Sequence, residues 1–497
     1  MCTLEEMTSA ALRTVIDDEA VNWAQLHLAL ASVSYLTGDA DRSRAECEAV
    51  LAEPGLPAPL YAAAHQHRIL ALLTTPDEAR HCLAGCENHE VHECVPAALI
   101  ARAALAWRDG HVGDTLELLW AAVRARPGCC RDGCYPALGL AVVFAALGQV
   151  DDAQACVLTA ADEIALGADP LWGAAPAVFS ARIDLAGGQL DEARTTAQAG
   201  LDLATELATL ILTPIARDVL IGAAIMRGEL GDAADQLERW RAEAPSARLP
   251  FGTPHRQWAA IRLRDAQGTR LLGDTASEAA FDLVASDRCL LLEEPSAAAW
   301  LVRVAHRDGD QRRVRAVVRT MEDLAGTNRR YPSVVAAAAH AKGVAEQDLA
   351  CLESAATAHR SPWARASAAE DAADVCAQRG DKGSARSWFE RAAEAYSRCG
   401  ATRDGARIRS RLRDLGVQLR HWSRQDRPVW GWDSLTETEQ AVAGLVAEGL
   451  SNQQVATRMF LSRHTVDFHL RHIFRKLGIG SRVVLTRIAL ANEAAGL

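Results

Sequence analysis

A glycine returns every 34 to 45 residues along most of this chain, and it separates two helical patterns each time. The first pattern is apolar, and the second is amphipathic and often opens with Asp or Glu, as in "LAGGQLDEARTTAQAGLDLA". Glycine suits the left-handed end of a helix, and an acidic residue suits a helix start. The period therefore predicts an α-helical solenoid built from helical hairpins. The glycines are Gly38, Gly110, Gly148, Gly188, Gly228, Gly273, Gly309, Gly343 and Gly380.

These units resemble tetratricopeptide repeats, although the full consensus of that repeat is absent. About ten of them would fill residues 20–400, so we assign 1–402 to a tetratricopeptide-like repeat domain. A solenoid exposes a long concave face, which predicts that the array senses a protein, a peptide or a small-molecule effector. A bare scaffold is the alternative, because a fold does not assign a function.

Charge is distributed unevenly along the 497 residues, whose formal net charge is −11. Residues 403–497 hold 15 Arg and Lys against 9 Asp and Glu, which leaves −17 for residues 1–402. A basic end on an acidic body predicts a polyanion partner for that end. Residues 403–433 form a basic helix followed by a linker rich in Pro, Gly and Trp. This segment either adds phosphate affinity, acts as a hinge, or is a solvated last repeat helix.

The start of the chain and its cysteines predict the cellular compartment of the protein. The opening "MCTLEEMTSA" is acidic, whereas a signal peptide needs positive charge before an apolar core. No stretch approaches 18 uncharged apolar residues, so no membrane association is predicted. The 13 cysteines are then expected to be reduced thiols of a cytoplasmic protein.

Four short helices are predicted at the C-terminal end. The first begins with a capping box of Thr436 and Glu439, the second with one of Ser451 and Gln454, and the third and fourth open at Ser462 and Ser481. On a helical wheel, the third helix has one apolar face and one face rich in His and Arg. The residues of the apolar face are Val466, Leu470, Ile473, Phe474 and Leu477. We expect them to pack on residues of the first two helices, namely Val442, Leu445, Val446 and Val455. The residues of the opposite face are His464, Phe468, Arg471, His472 and Arg475.

This C-terminal pattern closely resembles the LuxR-type helix-turn-helix domain of bacterial transcription regulators. The motifs that carry the resemblance are "LTETE", "GLSNQQVA" and "LSRHTVDFHLRHIFRKLGI", within about Leu435–Ala489. The resemblance implies that the third helix enters the DNA major groove and that the fourth forms a dimer contact. The predicted fold is therefore all-α, a helical-hairpin solenoid followed by a four-helix LuxR-type domain at 434–497.

The same resemblance implies roles for the residues of the third helix. Arg can bind guanine in a bidentate manner, and phosphate contacts set the register on the duplex. Solvated surface remains the alternative for Arg475 and Lys476. The residues expected to face base edges are Asp467, Phe468 and Arg471, and those expected to hold phosphates or orient the helix are Ser462, Arg463, Thr465, His469, Arg475 and Lys476.

Asp467 departs from the family pattern, which often has Lys at this position. An acidic group weakens binding near phosphates, but it can accept a hydrogen bond from cytosine N4. We expect an altered base preference, with a local salt bridge to Arg463 or Arg471 as the alternative.

The fourth helix carries apolar residues on two sides. Val484, Leu485 and Ile488 are expected to cover the domain core, whereas Val483 and Leu490 point elsewhere and predict a dimer contact. A dimer reads two half-sites about one helical turn apart.

The function predicted from these features is sequence-specific DNA binding by a bacterial, cytoplasmic transcriptional regulator that acts as a homodimer on double-stranded DNA. The chain resembles the C-terminal half of the large ATP-binding LuxR-family regulators. No Lys follows a Gly, however, so a Walker A loop is excluded and no cofactor is predicted. No catalytic arrangement is recognisable, so an enzyme is not expected. The alternative is a protein-interaction scaffold whose tail does not bind DNA.

One further cluster could carry chemistry, although its spacing matches no standard zinc module. Thiolates and imidazoles at close spacing can bind zinc or sense oxidants, and "CCRDGC" at 129–134 could join them. A core role for Cys82 and Cys86 is the simpler interpretation, and no metal is predicted. The candidate ligands are Cys82, Cys86, His89, His92 and Cys94.

Overall fold

The computed structural model divides the chain into two compact units, Met1–Leu415 and Gly416–Leu497. The residues that it describes form helices and no strand, which confirms the all-α class. The domain boundaries placed at 402 and 433 remain predictions. The described residues are 19–73, 75–86, 95–125, 135–167, 169–243, 252–415, 432, 435, 437–459, 463–477, 479 and 481–495.

The first unit consists of consecutive helices joined by short turns, together with one turn of 3₁₀ helix at Pro170–Trp172. Its α-helices are Glu19–Leu36, Ala40–Ala52, Ala58–Leu72, Pro76–Cys86, Val95–Asp109, Val112–Arg124, Pro136–Ala146, Val150–Gly167, Ala175–Gly187, Leu190–Glu206, Thr213–Arg227, Leu230–Glu243, Thr253–Ala266, Thr275–Ser286, Arg288–Glu293, Ala297–Arg307, Gln311–Thr327, Pro332–Glu346, Leu349–Ala358, Pro362–Gln378, Lys382–Arg398 and Thr402–Asp414.

Neighbouring helices pack as hairpins, as Ala175–Gly187 does with Leu190–Glu206. Gly188 ends the first of these helices in the left-handed conformation, with φ of 80°. Ala193 and Ala197 are fully buried between the helices, because a methyl group lets two helix axes approach closely. The periodic glycines and alanines therefore build the tetratricopeptide-like hairpins that they predicted.

Gly343 is an exception among the periodic glycines. It lies within the helix Pro332–Glu346, and Gln347 adopts the left-handed conformation at its end, with φ of 52°. A Cβ atom at position 343 would lie 2.8 Å from the side chain of Leu352 in the next helix. This glycine therefore serves close helix packing, and the turn falls four residues later.

Distant repeats also contact each other, which a simple stack of neighbours does not require. The Asn328 side chain accepts a hydrogen bond from the backbone N–H of Val112 at 3.0 Å and donates one to the Gly110 carbonyl at 2.6 Å. Further along, the Thr402 hydroxyl donates to the Arg227 carbonyl at 2.8 Å. We call this line of contacts the seam. It joins hairpin turns of the first half of the array to helices of the second half.

The seam leaves little room at the turns that it covers. A Cβ atom at Gly110 would lie 2.4 Å from Leu324, and one at Gly148 would lie 2.4 Å from the Cβ of Arg360. Both glycines also have positive φ, 88° and 70°. Glycine is therefore needed at both positions for two reasons, the conformation of the turn and the close approach of a distant helix.

A buried charged cluster lies where the two halves of the array meet, and Glu293 is its centre. The Trp107 Nε1–H donates to Glu293 at 3.0 Å, and Nε2 of His255 lies 3.0 Å from the same carboxylate. Arg182 lies 3.3 Å from Glu293 and 2.8 Å from Asp218. One carboxylate therefore ties together four helices that are far apart in the sequence.

The cluster sets the ionisation of its own members. Burial alone would raise the pKa of Glu293, but the hydrogen bond and charge of His255, with Arg182 and Trp107, lower it to about 2. Burial alone would lower the pKa of His255, yet Glu293 outweighs this and holds it above its ordinary value. The charged forms of His255 and Glu293 therefore stabilise each other as a buried ion pair.

The last helix of this unit, Thr402–Asp414, is the basic segment that the sequence assigned to a connector. It packs against Thr213–Arg227 and Lys382–Arg398, and Ile408 and Leu412 are fully buried. Arg407 lies 2.6 Å from Glu370 and 2.7 Å from Asp404. Part of its positive charge is therefore used within the array. Across the described parts of the chain, no helix is both long and apolar enough to cross a bilayer.

Replacing the central carboxylate should destabilise the array strongly. Glu293→Gln removes the charge that compensates Arg182 and His255, and breaking a buried ion pair costs about 3–5 kcal/mol. The measurement is the free energy of urea unfolding. Glu390→Gln is the control, because its pair with Arg386 is exposed and should change stability by less than about 0.5 kcal/mol. Equal effects of the two variants would contradict a central role for Glu293.

The ion pair should also make stability depend on pH. The pKa of His255 is raised above 6.5 in the folded protein, so its stabilising contribution is complete below about pH 6.5 and is lost as the pH rises through the folded-state value. His255→Gln keeps a donor toward Glu293 but cannot titrate, and it leaves Asp218 and Arg182 in place. Its free energy of unfolding should therefore fall less steeply above about pH 6.5 than that of the unchanged protein. Parallel curves would rule out titration of His255.

Candidate nucleic-acid interface

The helices of the C-terminal unit share one small core. They are Glu437–Ala447, Asn452–Arg458, Arg463–Leu477 and Arg482–Ala495, the first to fourth helices below. The third helix contributes Val466, Leu470 and Ile473, all buried, which confirms the apolar face predicted from its periodicity. The rest of the core comes from Leu435, Val442, Ala443, Val446, Val455, Ala456 and Leu485, with Phe474 and Leu477 packed against it.

A tight turn joins the first two helices. Gly449 has φ of 88°, and Ser451 begins the second helix with the predicted capping box. The Ser451 hydroxyl accepts a hydrogen bond from the Gln454 backbone N–H at 3.4 Å, and the Gln454 side chain accepts one from the Ser451 N–H at 2.8 Å. The capping box predicted for Thr436 and Glu439 lies partly outside the described residues.

Arg482 fixes this turn from the start of the fourth helix, a role that sequence reasoning missed. Its guanidinium donates to the Asn452 side chain at 2.6 Å and to the Leu450 carbonyl. Hydrogen bonds from a charged donor are stronger than neutral ones. Arg482 therefore sets where the second helix begins, and through the shared core it also positions the third helix.

The third helix carries exposed cations, and Arg471 is the described one that lies away from the core. Arg463 and Arg471 are exposed and His469 is partly buried. Helical geometry puts positions 468, 471 and 475 opposite the buried Val466, Leu470 and Ile473. Ser462 lies outside the described residues, as do the side chains of His464, Thr465, Asp467, Phe468, His472, Arg475 and Lys476, so their predicted roles stay predictions.

The fourth helix separates core residues from exposed ones. Leu485 and Ala489 are fully buried, whereas Val483 is 79% exposed and Leu490 is 52% exposed. Positions 483 and 490 are seven residues apart, so they share one face of the helix, and their role as a dimer contact stays a prediction. Val484 and Ile488 are partly buried.

The family model for "Bacterial regulatory proteins, luxR family" matches residues 433–489, which include the described parts of these helices up to Ala489. These residues form a LuxR-type helix-turn-helix domain. The resemblance seen in the sequence is thereby confirmed for this segment.

Named relatives match over a similarly short stretch. A Mycobacterium bovis protein named among the HTH-type transcriptional regulators is 56% identical over 59 residues, 12% of this chain and 7% of that protein. The nitrate/nitrite response regulator protein homolog of Haemophilus influenzae is 44% identical over 75 residues, 15% of this chain and 33% of that protein. The chain thus covers no more than a third of either relative.

The comparison with solved structures finds weak matches to this chain. A Rap protein complexed with competence and sporulation factor covers 72% of this chain and 98% of its own, with 12% identity and a TM-score of 0.38. Yeast Tom70 covers 82% of this chain and 86% of its own, with 11% identity and a TM-score of 0.28. A likeness this weak identifies no ligand or partner.

Most of the thiol and imidazole cluster predicted as a metal candidate lies outside the described residues, including His89, His92, Cys94 and the side chain of Cys86. Cys82 is partly buried, packs on the apolar cluster around Leu72 and Leu83, and accepts a hydrogen bond from Arg68 at 3.4 Å. Among the side chains that the structure describes, no group of three or more His, Cys, Asp or Glu could hold a metal ion.

Loss of Arg482 should loosen the LuxR-type domain. Arg482→Met removes two charge-assisted hydrogen bonds, so the second helix should open more easily by about 1.5–3 kcal/mol. Hydrogen exchange of the full chain measures this, through amides of Asn452–Arg458, where each 1.4 kcal/mol gives about tenfold faster exchange. Arg487→Met is the control, since Arg487 is exposed on the same helix. Equal exchange in the two variants would show that Arg482 does not hold the turn.

Proposed function

We propose that this chain is a sequence-specific, DNA-binding transcriptional regulator whose helical array senses a ligand or partner. The observation that carries the proposal is the LuxR-type domain at 433–489, whose third helix has Arg471 exposed on the side away from its core and Arg463 exposed at its first turn. Relatives that share such a segment are named as transcriptional regulators and response regulators.

DNA contact would run through the third helix in the major groove. Asp467, Phe468 and Arg471 would face base edges, and Arg471 would bind guanine. The phosphate and orienting contacts would come from Ser462, Arg463, Thr465, His469, Arg475 and Lys476. The positive charge of this segment supports such contacts, because phosphate neutralisation supplies most of the non-specific affinity for DNA.

The exposed Val483 and Leu490 would form the contact of a homodimer. A two-fold dimer presents two third helices to successive major grooves, so the operator should be a palindrome with half-sites about one helical turn apart. The proposal places the protein in the cytoplasm and assigns it no cofactor and no catalytic residue. A protein-interaction scaffold with a tail that does not bind DNA is the alternative.

Selection from random duplex DNA with the full chain tests the proposal. We expect a two-fold sequence to be enriched, and Arg471→Ala to weaken binding to it by about 1–3 kcal/mol, roughly 5- to 150-fold, while relaxing the preference at one base pair. Arg487→Ala is the control, because it removes the same charge from the fourth helix.

Three outcomes would count against parts of the proposal. No enriched sequence would favour the scaffold. Equal weakening by Arg471→Ala and Arg487→Ala would mean that position 471 contributes charge and no base contact. If the Leu490→Glu variant binds the two-fold site as tightly as the unchanged protein does, the proposed dimer contact is excluded.

A further inference from the structure

A cavity of about 70 Å³ lies inside the repeat array, next to the Glu293 cluster. Its walls come from both halves of the array, with Gly148 and Arg182 on one side and Trp300, His359 and Trp363 on another. A water-sized group needs about 10–15 Å³ of such space, so the cavity has room for roughly five to seven such groups. Anything bound there would contact repeats that the seam joins.

Two arginines line this cavity, and they differ in their partners. Arg182 has carboxylates of Asp218, Glu293 and Glu294 within 3.3 Å. Arg262 is partly buried and lies over the ring of Trp258, 5.1 Å from its centroid. Over the part of the chain that the structure describes, no carboxylate lies within ion-pair distance of Arg262. Its charge acts on Asp218 without a direct ion pair, so it is less fully balanced than that of Arg182 and can attract an anion.

A relay of hydrogen bonds prepares His359 as an acceptor. Asp371 lies 2.7 Å from Nε2 of His340, and Nδ1 of His340 lies 3.2 Å from Nε2 of His359. Burial alone would raise the pKa of Asp371, but Arg303 and His340 outweigh it and keep the pKa low. The carboxylate accepts a hydrogen bond from His340 Nε2–H, so in the neutral ring His340 Nδ1 accepts one from His359 Nε2–H.

That assignment leaves Nδ1 of His359 with a lone pair. His359 is 2% exposed, and Nδ1 has no hydrogen-bond partner among the described residues. Burial and the neighbouring His340 hold the pKa of His359 well below its ordinary value, so the ring stays neutral. An unpaired buried acceptor is costly, and a bound donor would remove that cost.

A donor and an apolar surface complete the lining. Trp258 is 2% exposed, and its Nε1–H also has no partner in the described part of the chain. Its ring meets the ring of Trp300 edge to face, with centroids 5.0 Å apart. A cation, a donor, an acceptor and aromatic rings therefore lie at the wall of the cavity, which the carboxylates of Glu293 and Glu294 also line.

We propose that this cavity binds a small organic carboxylate that also carries a hydroxyl or amino group. Arg262 would bind the carboxylate with help from Trp258 Nε1–H. Nδ1 of His359 would accept a hydrogen bond from the hydroxyl or amino group. The remaining carbons would pack against Trp300. Guanidinium groups suit carboxylates because their donors match the two oxygens.

This site would be the sensing site of the array, so its regulatory role rests on the proposed function. Because its walls belong to both halves of the array, a ligand stabilises the form in which the seam is closed. A ligand can shift such an equilibrium only by its difference in affinity for the two forms.

The test is isothermal titration calorimetry on the full chain without DNA. The probes are α-hydroxy and α-amino acids of three to five carbons, including L-lactate and L-alanine, with their neutral amides as controls. We expect one-to-one binding of at least one acid and a much weaker response to its amide. Arg262→Met should weaken that binding by about tenfold or more, since hydrogen bonds to charged groups contribute about 1.5–3 kcal/mol.

Matched variants separate binding from folding. Arg264→Met lies on the same helix and does not line the cavity, so it should bind the acid normally, and Arg262→Lys should recover part of the affinity. The proposal is overturned if no acid binds, if the amide binds equally well, or if Arg262→Met binds as tightly as Arg264→Met. Each result is obtained without DNA, so it leaves the proposed DNA binding untouched. Binding without a change in DNA affinity would keep the site and remove its regulatory role.

Discussion

The array depends on one buried carboxylate, whose negative charge is balanced by the groups around it. Glu293 receives hydrogen bonds from Trp107 at 3.0 Å and from His255 at 3.0 Å, and Arg182 lies 3.3 Å away. Burying this many charges costs desolvation free energy, and the attraction between the charges offsets that cost only when all of the partners are in place. Each partner comes from a different repeat. The cluster is therefore satisfied in one arrangement of the repeats, so it favours the closed array over other ways of stacking the same amphipathic helices.

A closed array behaves differently from an open solenoid. In an open stack each repeat contacts its neighbours, and stability is close to a sum of local terms. Here Asn328 hydrogen-bonds across the seam to the turn at Gly110 and Val112, and Thr402 does so to Arg227. Residues 103–147 and 258–341 also contribute to one apolar core. A change at one turn therefore alters the contacts of a helix some two hundred residues away.

Sequence periodicity predicted what is local and missed what is distant. The hairpins follow from glycine and alanine spacing, and the buried face of the third helix, with Val466, Leu470 and Ile473, follows from the helical period. The seam could not be predicted, because Asn328 and Gly110 are 218 residues apart and no local pattern marks the pair. Gly343 shows that the sequence alone does not distinguish two roles of glycine, because close helix packing and a left-handed turn both favour this residue. The role of Arg482 was not predicted for the same reason, because its partners Leu450 and Asn452 lie about thirty residues away in the sequence.

Charge is divided unevenly along the chain, in a way that bears on the proposed DNA binding. The acidic residues of 1–402 leave a formal −17, whereas 403–497 carry a surplus of cations. Several of those cations are already used within the protein, since Arg407 pairs with Glu370 and Arg482 holds the helix-turn-helix turn. At physiological salt, charges more than about 8 Å apart are largely screened. In the proposed complex the acidic array would repel DNA mainly at low salt, and binding at physiological salt would depend on the cations of the third helix. In that complex the charge of Asp467 would weaken binding to every DNA site equally, so this residue would favour one site over others only through contact with a base.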